Sequence, residues 1–531
     1  MNTAAPAVKL EFASVEAATL KAAESLIVVG RPESLAAATG AFVDAALLEV
    51  MVGKGKVGDA GKVANSWAPP AVDGGKMRHL SIAMVPSKAS RHNTPARPDA
   101  VTALLASALG AGSNGKGDLQ VVVVLEKEED RHALVCAAAR AFPSVSLKSS
   151  KASSKKEEGE DEEGEDEEAA RADGEKPPRS VTVSFVDASG ASLDPKSEQS
   201  GGAAGAVRRA AELVDLPAEQ VNVNRMVEEA LESAERLRAM GKDVTATVIR
   251  GDELRDQGYG GIYGVGKAAK EPPALVVLSY EPSTEGVEAS ETVAWVGKGI
   301  VYDTGGLSLK VGGGMVGMKS DMGGSAAMLS AYEAAVALGT TQRLHLLLCL
   351  AENAIGPGAF RNDDVLKLFS GKTVEINNTD AEGRLVLGDG VAHASKVLSP
   401  TPTLIVDMAT LTGAQLVTTG KKHAAVMSNQ EDVEQRAVAA GKASGDLTFP
   451  ILYCPEFYRA EFASKVADMK NSVKDRMNAQ TSCAGTFVGE HLDEDYEGGW
   501  LHVDMAGPAT AGERGTGYGV GLLLSLAGVA E

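Results

Sequence analysis

The sequence predicts an α/β protein of two domains with largely parallel sheets, joined near residue 200. Strand-like apolar runs alternate with Ala-rich helical stretches along the whole chain, the signature of strand–helix–strand units. These runs fall into two series, one on each side of residue 200. A chain of 531 residues, 44% of them hydrophobic, can also bury more core than one domain of ordinary size requires.

The first series holds strands in SLIVVG (25–30), HLSIAMVP (79–86), LQVVVVLEK (119–127) and VTVSFVD (181–187), with a helix in VTALLASALG (101–110). Before its last strand comes SSKASSKKEEGEDEEGEDEEAARADGEKPPR (149–179). That stretch has almost no apolar side chains to offset chain entropy, so it reads as a solvated, disordered insertion and not a catalytic element. The helix VNVNRMVEEALESAERLRAM (221–240) opens the second series. Its strands are DVTATVIRG (243–251), ALVVLSYE (274–281), TVAWVGKGIVYD (292–303), RLHLLLCLAE (343–352), TVEIN (373–377) and TLIVDMATL (403–411). The expected domains are 1–200 and 201–531.

A net charge of −20 disfavours nucleic acid or an anionic membrane surface as a general partner. Cys136, Cys349, Cys454 and Cys483 lie far apart with no CxxC, which excludes a thiolate zinc site and argues for a reduced, intracellular protein. The start of the chain has no signal-peptide pattern, and apolar runs such as GVGLLLSLAGVA (519–530) are too short to span a bilayer. A cytoplasmic protein is the expectation.

Chemistry concentrates in two stretches. NTDAEGR (378–384) follows the strand TVEIN, placing Asp380, Glu382 and Arg384 at a strand end, the edge where open α/β sheets bind ligands. Two positions apart on an extended backbone, the carboxylates point the same way, and they repel unless they share a proton or a cation. By itself this stretch suits an ordinary acidic loop before a helix. The second stretch, VGKGIVYDTGGLSLKVGGGMVGMKSDMGGSAAM (296–328), shifts the balance with Lys298, Asp303, Lys310 and Asp321. Gly297 and Gly299 permit a bulge that would bring Lys298 and Asp303 to one side, and Asp321 stands as an N-cap or a ligand. Four acids and three bases in Gly-rich turns exceed what folding requires. Four carboxylates neutralise two divalent cations; one lysine can join them only as a neutral amine, and the other can steady a developing oxyanion. No HExxH or His/Cys cluster is present, so oxygen ligands dominate, and Zn²⁺, Mn²⁺, Mg²⁺ or Co²⁺ would suit them. Two glycine-rich runs are set aside. GYGGIYGVGK (258–267) lacks the dinucleotide-binding spacing, and in VGGGMVGMKS (311–320) Met318 breaks the P-loop pattern. His345 and His502 read as core imidazoles. Other two-metal hydrolases, and a non-catalytic binding role, remain as rivals.

NTDAEGR and VGKGIVYDTGGLSLK, together with MKSDMGGSAAM (318–328), DMATLTGA (407–414) and WLHVDMAGPA (500–509), closely resemble the leucyl aminopeptidases, the two-metal cytosol aminopeptidase family. The resemblance runs from about residue 240 to the end; the first 200 residues share only general α/β character. It implies a smaller N-terminal α/β domain and a larger catalytic one with a mixed, largely parallel central sheet. It further implies metal ligation by Lys298, Asp303, Asp321, Asp380 and Glu382, with Asp303 and Glu382 bridging two divalent ions. Lys310 falls on the lysine that polarises the scissile carbonyl, and Arg384 on the arginine that holds bicarbonate as general base. Met318, Thr410, Leu411 and Gly413 fall on pocket-lining positions. The implied enzyme releases Leu- or Met-like N-terminal residues from peptides by a two-metal-activated hydroxide and assembles as a homohexamer. Three stretches depart from the family pattern: the acidic insertion, GAFRNDD (358–364), and KNSVKDRMNAQTSCAGTFV (470–488), whose counterpart helps form the pocket in relatives.

Overall fold

The computed structural model describes residues 8–53, 57–69, 77–110, 118–147, 179–282 and 289–530. The acidic insertion falls outside the described residues except for Arg179.

The first sheet is built from β1 (Val8–Phe12), β2 (Ser25–Gly30), β3 (Lys62–Ala68), β4 (Arg78–Met84), β5 (Leu119–Leu125) and β6 (Arg179–Asp187), with β7 (Ser192–Leu193) appended to β6. Its order is β1-β6-β5-β2-β4-β3. All neighbours are parallel except β3 on β4 and β7 on β6. The four strands expected from the sequence are present, and β2 is buried throughout, as a parallel strand covered on both faces should be.

The second sheet takes β8 (Asp243–Arg250), β9 (Ala274–Glu281), β10 (Thr292–Asp303) and β11 (Arg343–Asn353). After β12 (Val365–Lys367) and β13 (Thr373–Glu375), it continues with β14 (Leu404–Ala409), β15 (Ala424–Ser428) and β16 (Thr448–Pro450). Following β17 (Met469–Lys470), it ends with β18 (Gly499–Asp504). The order is β16-β15-β18-β14-β10-β11-β9-β8. Its centre, β18-β14-β10-β11, is parallel, and antiparallel pairs flank it, so the sheet is mixed. TVEIN departs from expectation. Its strand β13 pairs with β12 and β17 in a separate three-stranded sheet, so NTDAEGR does not leave the edge of the central sheet.

Residue 200 lies inside a helix, Ser197–Asp215, that packs on both the Arg131–Ala141 helix and the Gly323–Ala337 helix. One continuous apolar cluster includes Val121 and Phe185 of the first sheet and Trp295 and Leu348 of the second. Gly260 and Gly261 of GYGGIYGVGK serve packing. A Cβ at Gly260 would lie 2.1 Å from the Lys367 carbonyl oxygen, and one at Gly261 2.2 Å from that of Leu385. Among the described residues no helix is long and apolar enough to cross a membrane.

Candidate metal centre and active site

The C-terminal ends of β10, β14 and β18 open onto a cavity of about 480 Å³, the position where α/β sheets present ligand sites. Lys298, Asp303, Lys310, Asp321, Asp380, Glu382, Arg384, Met318, Thr410, Leu411 and Gly413 all line it, so the structure gathers every candidate residue in one place.

β10 delivers the first two. Its register against β11 shifts between Ile300 and Asp303, the bulge needed to bring Lys298 and Asp303 together. The bulge lies after the glycines, which have a different task. A Cβ at Gly297 would stand 2.9 Å from Ser325 Cα, and one at Gly299 2.7 Å from Ser325 Oγ. They let the Gly323–Ala337 helix press against the strand. Asn353 Nδ2, from the end of β11, donates to Asp303 Oδ1 at 2.8 Å and to the Thr379 carbonyl at 3.1 Å. The Thr379 hydroxyl donates to the Gly305 carbonyl at 2.6 Å, tying NTDAEGR to the loop after β10.

NTDAEGR is not an extended alternation. Its backbone turns through Asp380 and enters the Gly383–Lys396 helix, with Glu382 at the N-cap position and Arg384 in the first turn. Convergence of the three side chains comes from that turn and not from a two-residue strand period. Asn471 holds the turn. Its Oδ1 accepts from the Asn377 N–H at 2.9 Å, and its Nδ2 donates to the carbonyls of Asn378 and Ala381 at 2.6 and 3.2 Å.

Asp321 is a buried site group and not a helix cap, since its carboxylate accepts from Lys298 Nζ at 2.8 Å and Thr410 Oγ1 at 2.9 Å. Lys298 Nζ also meets Glu382 Oε1 at 3.1 Å and donates to the Thr410 carbonyl at 2.9 Å. Thr410 thus turns its hydroxyl and its carbonyl to this cluster. Lys310 Nζ lies 2.8 Å from Asp303 Oδ2 and 2.5 Å from Asp380 Oδ1. Four carboxylates therefore face two ammonium groups, leaving an excess of two negative charges when all are ionised. Burial, followed by repulsion from Asp303, pushes Glu382 up to about 8. Burial raises Asp321 to about 7 against the pull of Lys298. Both lysines are raised despite their burial, because the surrounding carboxylates hold their protons.

Such a cluster is built for added positive charge. One ligand oxygen each from Asp303, Asp380 and Glu382 lies within 4.8 Å of the others. Asp321 Oδ2 is buried without a hydrogen-bond partner among the described residues. An anionic, oxygen-rich, partly unsatisfied shell fits divalent ions.

Arg384 stands beside the carboxylates. Its Nη1 donates to the Asn471 carbonyl at 3.0 Å, its Cζ lies 5.9 Å from the Phe487 ring centroid, and its Nε has no partner among the described residues. Burial lowers it to about 10, which leaves it charged at neutral pH. Asp504 fixes the wall opposite by accepting from the backbone N–H of Leu411 and from Thr412 Oγ1, at 3.1 and 2.7 Å. His502 lies in the core, its Nδ1 2.6 Å from Asp407 Oδ1, and His345 Nδ1 pairs with Ser279 Oγ at 2.8 Å. The cavity wall also holds Ser320, Asn378, Thr412, Ala414, Leu416, Ser472, Arg476 and Gln480, none of which the sequence reading named. Asn471 and Asp504 were also missed, although both stand within the quoted stretches KNSVKDRMNAQTSCAGTFV (470–488) and WLHVDMAGPA (500–509).

The chain matches the model of the cytosol aminopeptidase family catalytic domain over residues 208–524, and that of the M17 aminopeptidase N-terminal domain 2 over residues 24–151. The chain belongs to the cytosol aminopeptidase family. A probable aminopeptidase of Mus musculus is 46% identical over 454 residues, covering 85% of this chain and 80% of that protein. The leucyl aminopeptidase of Trypanosoma cruzi superposes with a TM-score of 0.83 at 40% identity, covering 99% of this chain and 97% of that one. That of Trypanosoma brucei, solved in complex with bestatin, gives 0.83 at 37% identity, covering 98% and 95%. This aminopeptidase is therefore a peptide hydrolase of the leucyl aminopeptidase type, and the acidic cavity is its candidate active site.

Proposed function

We propose that the enzyme removes N-terminal residues, Leu- and Met-like ones preferentially, using two divalent ions held by Lys298, Asp303, Asp321, Asp380 and Glu382. The observation that carries this is the convergence of all five residues, with Lys310 and Arg384, on one cavity whose carboxylates outnumber its ammonium groups. In this reading Asp303, Asp380 and Glu382, whose oxygens already converge, would hold the ions together with Asp321 and with Lys298 as a neutral amine. Zinc and manganese suit the shell, and magnesium or cobalt would also fit it. Ions bound there supply Lewis acidity toward the scissile carbonyl and generate a nucleophile from water at neutral pH.

The chain's own groups do the rest. Asp321 receives the substrate's free α-amine at the cavity floor, which an internal peptide bond cannot offer, so the enzyme is an exopeptidase. Lys310 Nζ leaves its carboxylates to donate a hydrogen bond to the carbonyl oxygen as negative charge develops there. Arg384 presents an unpartnered Nε and fits a small planar anion such as bicarbonate, a group able to take a proton from water and return it to the leaving amine. Met318 and Leu411 supply apolar wall. An added Cβ at Gly413 would meet nothing within 4 Å, so that wall leaves room for a branched side chain. Kinship with the family supports a homohexamer and a cytoplasmic location.

Parallel assays on a leucyl anilide and a nitrophenyl phosphate, with and without a chelator, test the reading. Chelator-sensitive turnover of the anilide alone is expected. Preferential turnover of the phosphate would replace the peptidase reading with a phosphoesterase one.

A further inference from the structure

Among the described residues four cations line the cavity, and three are already engaged. Lys298 and Lys310 are ion-paired with the carboxylates, and Arg384 is buried against the Asn471 carbonyl. Arg476 is different. It lies between β17 and the Gln480–Gly489 helix, exposed to solvent, and among the described residues it makes no hydrogen bond or ion pair. The adjacent Asp475 forms no ion pair with it; that carboxylate accepts from the Met477 N–H at 2.9 Å. Glu461, the other acid near this loop, is turned to the Asp475 N–H and Asn478 Nδ2 at 2.9 and 2.8 Å. Gln480, also on the cavity wall, offers a side-chain amide with no hydrogen bond among the described residues.

The site has a clear depth gradient. Lys298 and Glu382 are each 2% exposed and form the floor, whereas Arg476 is at the mouth. A peptide entering amine-first places its first residue at the floor and its scissile bond above Lys310, and the part that leaves points outward. We infer that Arg476 is a specificity residue that binds a carboxylate on the leaving side of the substrate, either the C-terminal carboxylate of a very short peptide or an acidic side chain following the scissile bond. This rests on the aminopeptidase reading above. Divalent ions loaded into the floor would strengthen the preference, because they offset the carboxylates that would otherwise repel an anionic leaving group. A planar guanidinium is suited to bidentate recognition of a carboxylate.

The test compares matched substrate pairs on the metal-loaded enzyme and on Arg476→Gln. Leu-Gly against Leu-Gly-amide probes the terminal carboxylate, and Leu-Glu-amide against Leu-Gln-amide probes the side chain. A leucyl anilide, which carries no carboxylate, is the reference. A rim ion pair of ordinary strength gives about a fivefold preference in KM for the charged member of a pair, with kcat little changed. Arg476→Gln should bring that ratio to about 1, and Arg476→Lys should restore part of it. A ratio that collapses in the first pair assigns the terminal carboxylate; a collapse in the second assigns the side chain. Ratios unaltered in Arg476→Gln would overturn the inference, as would a loss on the anilide as large as that on Leu-Gly. A charge preference at the first residue that Arg476→Gln removes, seen with Glu- against Gln-anilide, would overturn it too. Failure of the wild type on the leucyl anilide would instead strike the aminopeptidase reading itself.

Discussion

Lys298 passes directly over Gly383. A Cβ on residue 383 would stand 2.6 Å from Lys298 Cε and 2.7 Å from Nζ. The glycine of NTDAEGR is therefore a matter of space, since its backbone lies in a regular helix turn. Lysine tips usually yield to an intruding methyl at little cost, but this one is 2% exposed and held by Asp321, Glu382 and the Thr410 carbonyl. Gly383→Ala should push the ammonium off its carboxylates. Breaking a buried pair in this way costs about 3–5 kcal/mol. A loss of at least tenfold in kcat/KM on a leucyl anilide, with a lowered urea midpoint, is the expected result; wild-type values for both would show that Lys298 has another path.

Lys310→Ala separates two duties of a site lysine. Its ammonium bridges Asp303 and Asp380, yet the proposed role is toward the substrate carbonyl. Turnover should fall by roughly 10²–10³ while bound metal stays near the wild-type level. Loss of metal instead would move Lys310 among the ligands.

Asn471 makes four hydrogen bonds to the backbone of residues 377–381 without lining the cavity. Removing an orienting partner of metal ligands commonly costs 10–100-fold in affinity or activity. Asn471→Ala should weaken metal binding by an amount in that range, read by titration with a competing chelator. An unchanged affinity with reduced thermal stability would show that Asn471 supports only the fold.

Glu333 gives a pH test away from the site. Burial alone would raise it, but hydrogen bonds from Arg236 and the charge of Arg209 bring it down to about 2. A carboxylate depressed below its unfolded value near 4.5 adds stability that is complete above pH ~4.5 and is lost as pH falls toward 2. Glu333→Gln should therefore cost on the order of 1–3 kcal/mol at pH 7, and much less near pH 3. The same cost at both pH values would mean that packing, and not charge, links the Ser197–Asp215, Val223–Ala239 and Gly323–Ala337 helices.

The strongly apolar strands were legible in the sequence because both of their faces are buried, as with β10 and β11. β3 was not, because KVANSWA is a half-exposed edge strand with a mixed pattern. β15 and β18 were passed over as well: AAVMS is a short Ala-rich run, and WLHVDM carries polar groups that the fold buries. The charged side chains of NTDAEGR do meet at the cavity, but by a different geometry from the one their spacing suggests. Their two-residue spacing suggests a strand, whereas Asn471, almost a hundred residues away in sequence, holds the chain in a turn. Local spacing cannot reveal a hydrogen bond made across that separation. For the same reason the positioning roles of Asp504 and Asn353 cannot be read from local spacing, even though Asp504 stands inside the quoted stretch WLHVDMAGPA.

The central claim is that the carboxylates of this cavity hold the metal on which peptide hydrolysis depends. The most direct measurement is metal content per subunit together with leucyl anilide turnover, for the wild type and for Asp380→Ala and Glu382→Ala. The account predicts about two divalent ions in the active wild type, with fewer ions and abolished turnover in both variants. Full turnover with normal metal content in either variant would contradict it.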